Sequence, residues 1–232
     1  MKRRAFLFAV TAATLVPPVF AQAKPMKIGI IGSGRIGSTF GGLWAKAGHE
    51  VMFSDRDMDT AKKAAETVGA RARAGSVDEA VAFGDAVLIA VPYGALPAIA
   101  QQVGAKLKGK VVVDPNNPVP ARDGELGTQA KEKGAAISTA ALLPGARLVR
   151  AFNSWGYQTM AREANRPAPR MAIPVAADDP AALKVGVQLV QDAGFDAVPA
   201  GSLAASKAFD LGSSVSGKVL TAEEMRKALS LP

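Results

Sequence analysis

The sequence predicts an α/β fold built on a doubly wound, mostly parallel sheet, and three observations carry that expectation. Short apolar runs alternate with stretches of helical periodicity along most of the chain, the pattern of a parallel sheet with helices on its faces. The first run, Met26-Lys27-Ile28-Gly29-Ile30-Ile31, leads directly into Gly32-Ser33-Gly34-Arg35-Ile36-Gly37, a GxGxxG spacing. Behind it Ile36, Phe40, Leu43, Trp44 and Ala47 recur on one helical stripe, and Gly48 stands where a helix C-terminus is closed. Strand, glycine loop and helix in that order make a Rossmann-type unit, with a small C-terminal helical extension expected after the last strand.

Before that unit, residues 1–23 read as an export signal and residues 24–232 as the folded domain. Met1-Lys2-Arg3-Arg4 is basic, Ala5 to Phe20 is an uncharged apolar run of 16 residues, and Pro17-Pro18 interrupts any helix there. Ala21-Gln22-Ala23 presents the small residues that a signal peptidase reads, so cleavage is expected after Ala23. Arg3-Arg4-Ala5-Phe6-Leu7 further resembles a twin-arginine leader, which carries folded proteins and points to a periplasmic or otherwise exported protein. No stable membrane span is expected after cleavage, although an uncleaved leader would act as a tether.

Each glycine of the loop has a task. Gly32 makes the tight turn off the strand, Gly34 lets the backbone approach a pyrophosphate, and Gly37 lets the helix pack closely on the strand. The free amides and dipole of the helix start then bind phosphate. The second strand, His49–Ser54, ends at Asp55, 18 residues after Gly37, where an acid bonds the adenosine ribose of NAD. Arg56 follows, where an arginine would favour the 2′-phosphate of NADP, and Ser54 would add a hydroxyl donor. The residues alone leave NAD and NADP both open. His49, in the turn at the far end of the sheet, reads as structural.

The remaining elements follow in order. A helix around Ala61–Ala65, a brief strand at Ala70–Arg73 and a helix opened by the capping-box pattern Ser76-Val77-Asp78-Glu79 precede the most apolar strand, Ala86–Val91. Its exit, Pro92-Tyr93-Gly94, is expected to face the dinucleotide. Lys110–Asp114 is a fifth strand ending in Pro115-Asn116-Asn117-Pro118, and a helix is expected at Gly127–Lys133. Leu148–Asn153 is a sixth strand and Met171–Ala176 a seventh. A helix at Pro180–Asp192, a strand at Phe195–Pro199 and a largely helical stretch from Leu203 to Leu229 complete the chain.

Composition narrows the chemistry. The chain has no cysteine, which excludes disulfides, thiolate nucleophiles and cysteine-held metals, and one histidine, which excludes any two-histidine metal site. No metal site and no covalent catalytic residue are expected. The formal charge of +8 falls once the leader is set aside, leaving 25 basic and 20 acidic residues scattered along the chain. Nothing resembles a basic surface interleaved with aromatics, so no nucleic-acid partner is expected.

Taken together, the Lys27–Gly37 segment, the Ala90-Val91-Pro92 exit, the Asp114-x-x-Asn117-Pro118 loop and the Val149-Arg150-Ala151-Phe152-Asn153 strand resemble the deazaflavin (coenzyme F420)-dependent NADP oxidoreductases. They are similar also to the reductase domain of metalloreductases. The resemblance implies hydride transfer between NADP(H) and a flavin, deazaflavin or similar small-molecule acceptor. It implies that Gly32, Ser33, Gly34, Arg35 and Ile36 cradle the pyrophosphate, and that Ser54, Asp55 and Arg56 surround the 2′ position. Ala90, Val91 and Pro92 would pass the cofactor, with Asn117, Pro118 and Asn153 towards the nicotinamide. Two departures stand out. Asp55 takes a position that is usually Ser or Thr in that family, and Thr60 one that is often basic, with Lys62 and Lys63 nearby. Two other readings stay open, a dehydrogenase of a small hydroxy compound using Tyr93 or a lysine as base, and a non-catalytic NAD(P)-binding sensor module. A homodimer is compatible with all three.

Overall fold

The computed structural model describes residues 24–232 of the chain; the expected export signal lies outside the described residues. Strands β1 (Lys27–Ile31), β2 (Glu50–Ser54), β3 (Ala72–Ala74), β4 (Ala86–Ile89), β5 (Val111–Asp114) and β6 (Arg147–Arg150) form one sheet in the order β3-β2-β1-β4-β5-β6, every neighbouring pair parallel. The order reverses between β1 and β4, as in a doubly wound fold. Strands β7 (Ala172–Val175) and β8 (Asp196–Pro199) pair in parallel with each other. They join the main sheet through reciprocal backbone bonds between Arg150 and Ala176, which run antiparallel.

The strands are buried on both sides because their side chains alternate between two cores. Ile28, Ile30, Leu88, Val113 and Val149 point into one, with Phe40, Trp44 and Phe152; Ile31, Val87, Ile89, Val112 and Leu148 point into the other. The first core is covered by α1 (Arg35–Lys46), α2 (Met58–Val68) and α8 (Pro180–Asp192). The second is covered by α3 (Val77–Phe83), α4 (Leu96–Leu107), α5 (Pro120–Lys133) and α6 (Ala135–Leu142). Trp44 locks α1 to α8 by donating its indole N–H to the Leu189 carbonyl at 2.8 Å.

Local signals act where the sequence places them. Ser76 and Glu79 close both bonds of a capping box at α3, and Asp179 accepts from the Ala182 amide at the start of α8. His49 is buried at the far end of the sheet. Its Nδ1 accepts from the Met26 amide, so its proton sits on Nε2 and meets Asp192 at 3.1 Å. That histidine joins β1, β2 and α8.

Several elements differ from expectation. Helices α4 and α7 (Tyr157–Glu163) were not foreseen, and the helix expected from Gly127 begins at Pro120 with a break at Gly124. The C-terminal stretch is mostly turns: a short 3-10 segment, Ala205–Phe209, then α9 (Ala222–Ala228) alone. Gly201, Gly212 and Gly217 there take φ of 90°, 90° and 76°, a left-handed conformation that interrupts any helix.

Candidate functional site

The chain turns sharply as it leaves β1. Gly32 adopts φ +95°, and a Cβ at this position would lie 2.3 Å from the Ala90 carbonyl oxygen. Its amide donates to Ser54 O at 2.8 Å, tying the loop to the end of β2. At Gly37 a Cβ would lie 1.9 Å from Gly32 O, so this glycine is required by the packing of α1 on its own loop. Gly34 is different. It is exposed, with φ −69°, and a Cβ would meet nothing within 4 Å. The protein itself has room for a Cβ there, so its own packing does not require glycine at that position. The N-terminus of α1 has no side-chain cap and no acidic residue in its first turn, leaving its amides open to an anion.

The rest of the loop is braced from β2. Ser33 is buried; its amide donates to Asp55 Oδ2 at 2.8 Å and its hydroxyl to Ser54 O at 3.1 Å. Asp55 therefore holds the loop with one oxygen, while Oδ1 has only a long contact, 3.4 Å, from the Asp57 amide. Ser54 is fully buried and donates to Ile30 O, so its hydroxyl is turned away from the crevice and cannot serve a 2′-phosphate as the sequence suggested. Arg56 is exposed and forms no ion pair among the described residues. Arg35 lies with its guanidinium 5.3 Å from the centre of the Tyr157 ring, and Ile36 packs against the core. Lys62 pairs with Asp59 on the surface of α2 and takes no part in the crevice wall.

A cleft of about 1110 Å³ opens over the carboxyl ends of the strands. It brings together Gly32, Gly34, Asp55, Arg56, Ala90, Val91 and Pro92 of the expected residues. Tyr93 is not among them. It is fully buried in the second core, its hydroxyl donates to Ala135 O, and burial raises its pKa above the ordinary tyrosine value. The 3-10 turn Tyr93–Ala95 swings its ring inward, so the sequence expectation that it faces the dinucleotide is overturned.

Asn117, Pro118 and Asn153 lie beside the cleft rather than in its wall. Asn117 Nδ2 donates to Asn153 O at 2.6 Å, while Asn153 is buried with its own amide donating to Phe209 O at 2.9 Å. Pro118 walls a second cavity of about 420 Å³, together with Lys131, Lys207 and Leu211. The chain reaches Asn153 through Phe152, a non-glycine residue at φ 65° whose ring centre lies 4.2 Å from that of Phe40, the planes tilted by 41°.

Two clusters were missed by sequence reasoning. Arg150 is completely buried at the end of β6. It faces the Asp114 carboxylate at 3.3 Å and donates to Asn117 Oδ1 at 3.2 Å and to Asp210 Oδ1 at 2.7 Å. Burial raises the Asp114 pKa above the usual carboxylate value, and Arg150 opposes that shift. A charged residue inside the apolar run Leu148–Phe152 was the available signal. The second cluster is Arg122 and Asp123 in the first turn of α5, both in the cleft wall. Asp123 accepts from the Arg122 guanidinium and from the Gly94 and Val119 amides, and the guanidinium first among these holds its pKa down to about 2.

Residues 27–118 match the family model described as NADP oxidoreductase, coenzyme F420-dependent. No curated protein sequence matches the chain. Among solved structures, a hypothetical protein from Sinorhizobium meliloti is similar at 25% identity and a TM-score of 0.71, over 88% of this chain and 98% of that one. A protein from Arthrobacter sp. FB24, described as an F420-dependent NADP-reductase, matches at 21% identity and 0.63, over 79% and 88%. A reductive aminase from Aspergillus terreus, solved with NADPH, matches at 19% identity and 0.54, over 80% of this chain and 58% of that one. The last two likenesses are of fold. The matched family and these two named neighbours are oxidoreductases.

Proposed function

We propose that this chain, with residues 27–118 matching the coenzyme F420-dependent NADP oxidoreductases, is an NADP(H)-dependent oxidoreductase that passes a hydride to a flavin, deazaflavin or similar small-molecule acceptor. The observation that carries the reading is Gly34, a glycine the protein does not need for its own packing, placed at the uncapped start of α1 and at the reversal of strand order. An extended, phosphate-bearing ligand accounts for that glycine, for the open amides around it and for a cleft of about 1110 Å³.

The residues present fit such a ligand. The α1 amides would hold the pyrophosphate, Asp55 Oδ1 a ribose hydroxyl, and Arg56 the 2′-phosphate, with Ala90, Val91 and Pro92 as the wall beside the glycine turn. The bound nicotinamide would supply the hydride. What the protein contributes is position and exclusion of water: Asp55 fixes the glycine loop through Ser33, and Arg150 and Asn117 fix the loop after β5. The ionisable side chains in the cleft wall are Asp55, Arg56, Arg122 and Asp123, and two of these are bonded to each other. That inventory favours a reaction in which the protein moves no proton over oxidation of an alcohol, which needs a general base. The leader-like residues 1–23 support export of the folded protein.

The test is anaerobic oxidation of NADPH and NADH by the purified protein with flavin, deazaflavin and ferric acceptors offered in turn. Turnover with one acceptor class supports the reading. Tight binding of dinucleotide without turnover in any of them would replace it with a sensor module.

A further inference from the structure

Two guanidinium groups stand in the wall of the cleft, Arg56 and Arg122. The first follows β2 by two residues. The second lies in the first turn of α5 and donates to the carbonyl of Asn117, in the loop leaving β5. Between β2 and β5 the sheet places β1 and β4, so three strand spacings of about 4.8 Å separate the two supports, about 14 Å in all. The two cations therefore approach a ligand in the cleft from opposite sides of the strand-order reversal, which lies between β1 and β4.

Arg122 is also held in a way unusual for a surface arginine. Its side chain is 48% exposed, yet Nε and one terminal nitrogen form a fork on Asp123, both bonds 2.8 Å, and that nitrogen also reaches Asn117 O at 3.0 Å. Asp123 is in turn anchored by the amides of Gly94 and Val119 at 3.0 and 2.8 Å. Directly after it, Gly124 leaves helical geometry at φ 59°, so residues 120–123 form a separate turn set against the exit of β4. A long charged side chain loses conformational entropy when fixed like this, and an exposed ion pair returns little. The other terminal nitrogen of Arg122 has no acceptor among the described residues, and the guanidinium lines the cleft that contains Gly34. A fixed guanidinium with unused donors at a ligand cleft is suited to a phosphate oxygen.

We propose that Arg122 is a second dinucleotide-binding residue, taking the nicotinamide-side phosphate while Arg56 takes the adenosine end, with Asp123 as the residue that positions it. The proposal rests on the dinucleotide reading of the cleft. It assigns to α5 a role that neither the glycine motif nor the acidic and basic pair after β2 covers. Because Asp123 neutralises Arg122, the contribution is one of directed hydrogen bonds more than of net charge, and the expected effect is correspondingly moderate.

The experiment is calorimetric titration of the full chain and of Arg122→Gln, Arg122→Lys and Arg56→Gln with two ligands, NADPH and adenosine 2′,5′-bisphosphate, which lacks the nicotinamide half. Arg122→Gln is expected to weaken NADPH about tenfold while leaving the bisphosphate within about twofold, since a charge-assisted bond is lost at one end only. Arg56→Gln should weaken both ligands. Arg122→Lys keeps the charge without the fork and should fall between wild type and Arg122→Gln for NADPH alone. An Arg122→Gln variant that weakens both ligands equally, or neither, overturns the proposal, as does a selective loss of NADPH that Arg122→Lys reproduces in full, the result expected of a residue that only braces the Asn117 loop. Should that variant fail to fold, the Arg122→Lys comparison decides by the same pattern. If wild type binds neither ligand, the dinucleotide reading itself falls, an outcome distinct from all of these.

Discussion

Arg150 donates to the carboxylate of Asp210 at 2.7 Å across 60 residues of sequence, fastening the C-terminal turns to the end of β6. The same guanidinium meets Asp114 at the end of β5 and Asn117 in the loop beyond it. One fully buried side chain thus joins the end of β5 and the loop beyond it to the C-terminal turns. Removing it would leave Asp114 in the interior without the partner that offsets its burial, so the carboxyl must either stay charged unpaired or take up a proton, and both cost stability. Arg150→Met is expected to cost about 3–5 kcal/mol in urea unfolding, as for a buried ion pair stripped of one member. The double variant Arg150→Met with Asp114→Asn should recover part of that loss. Equal destabilisation by the single and double variants would show that Asp114 is not the group left stranded.

A second prediction concerns acid. Asp123 is held at a pKa of about 2 against an ordinary 3.8. A depressed carboxylate contributes stability that is present above its unfolded pKa and is lost as pH falls through the folded value. The stability difference between wild type and Asp123→Asn should therefore be constant from neutral pH down to about 4 and vanish between about 4 and 2. Although Asp123 itself is only 2% exposed, its partner Arg122 stands half in solvent, so screening keeps the difference to about 1 kcal/mol or less. A difference that persists unchanged at pH 2 would contradict the pairing.

Coenzyme choice rests on neighbours of opposite charge. Arg56→Ala should weaken NADPH by about 1.5–3 kcal/mol, at least tenfold, and NADH little. Asp55→Asn keeps an oxygen for the Ser33 amide while removing the charge that opposes a phosphate, and should shift preference towards NADPH. Dissociation constants for both coenzymes with both variants measure this. An NADPH-to-NADH ratio unmoved by Arg56→Ala would make the acid dominant and the protein NAD-dependent.

Much of this was legible in the sequence, for definable reasons. The buried strands stand out because both faces are covered, so Val87–Ile89 and Val111–Val113 are apolar without interruption. The glycine loop was legible because its spacing is set by the turn off β1 and the packing of α1, although the atoms that enforce Gly32 belong to Ala90 and Ser54 at the ends of other strands. What escaped depends on tertiary partners. Ser54 follows the apolar run of β2 and reads as a donor at its tip, but the pleat points it at Ile30 O. Tyr93 follows Pro92 at a strand exit, yet the 3-10 turn carries it into the opposite core. The Arg150–Asp114 pair spans strands 36 residues apart, and no local pattern links the two. Helix α7 was missed because Tyr157–Glu163 is short and polar, with Met160 as its one buried residue.

Gly34 and Gly37 stand three residues apart in one loop, yet only Gly37 is required by the protein's own packing. Gly37→Ala drives a Cβ into the Gly32 carbonyl and should destabilise the fold by about 2–3 kcal/mol as an overpacked site. Gly34→Val places its Cβ where no protein atom lies within 4 Å and should cost about 1 kcal/mol, as a poorer N-cap. Calorimetric titration of folded Gly34→Val with NADPH, beside wild type, is the decisive measurement. Wild type is expected to bind and the variant to show no detectable binding, with nearly unchanged thermal stability, if Gly34 is kept open for the pyrophosphate. Equal affinity in the two proteins would contradict that role.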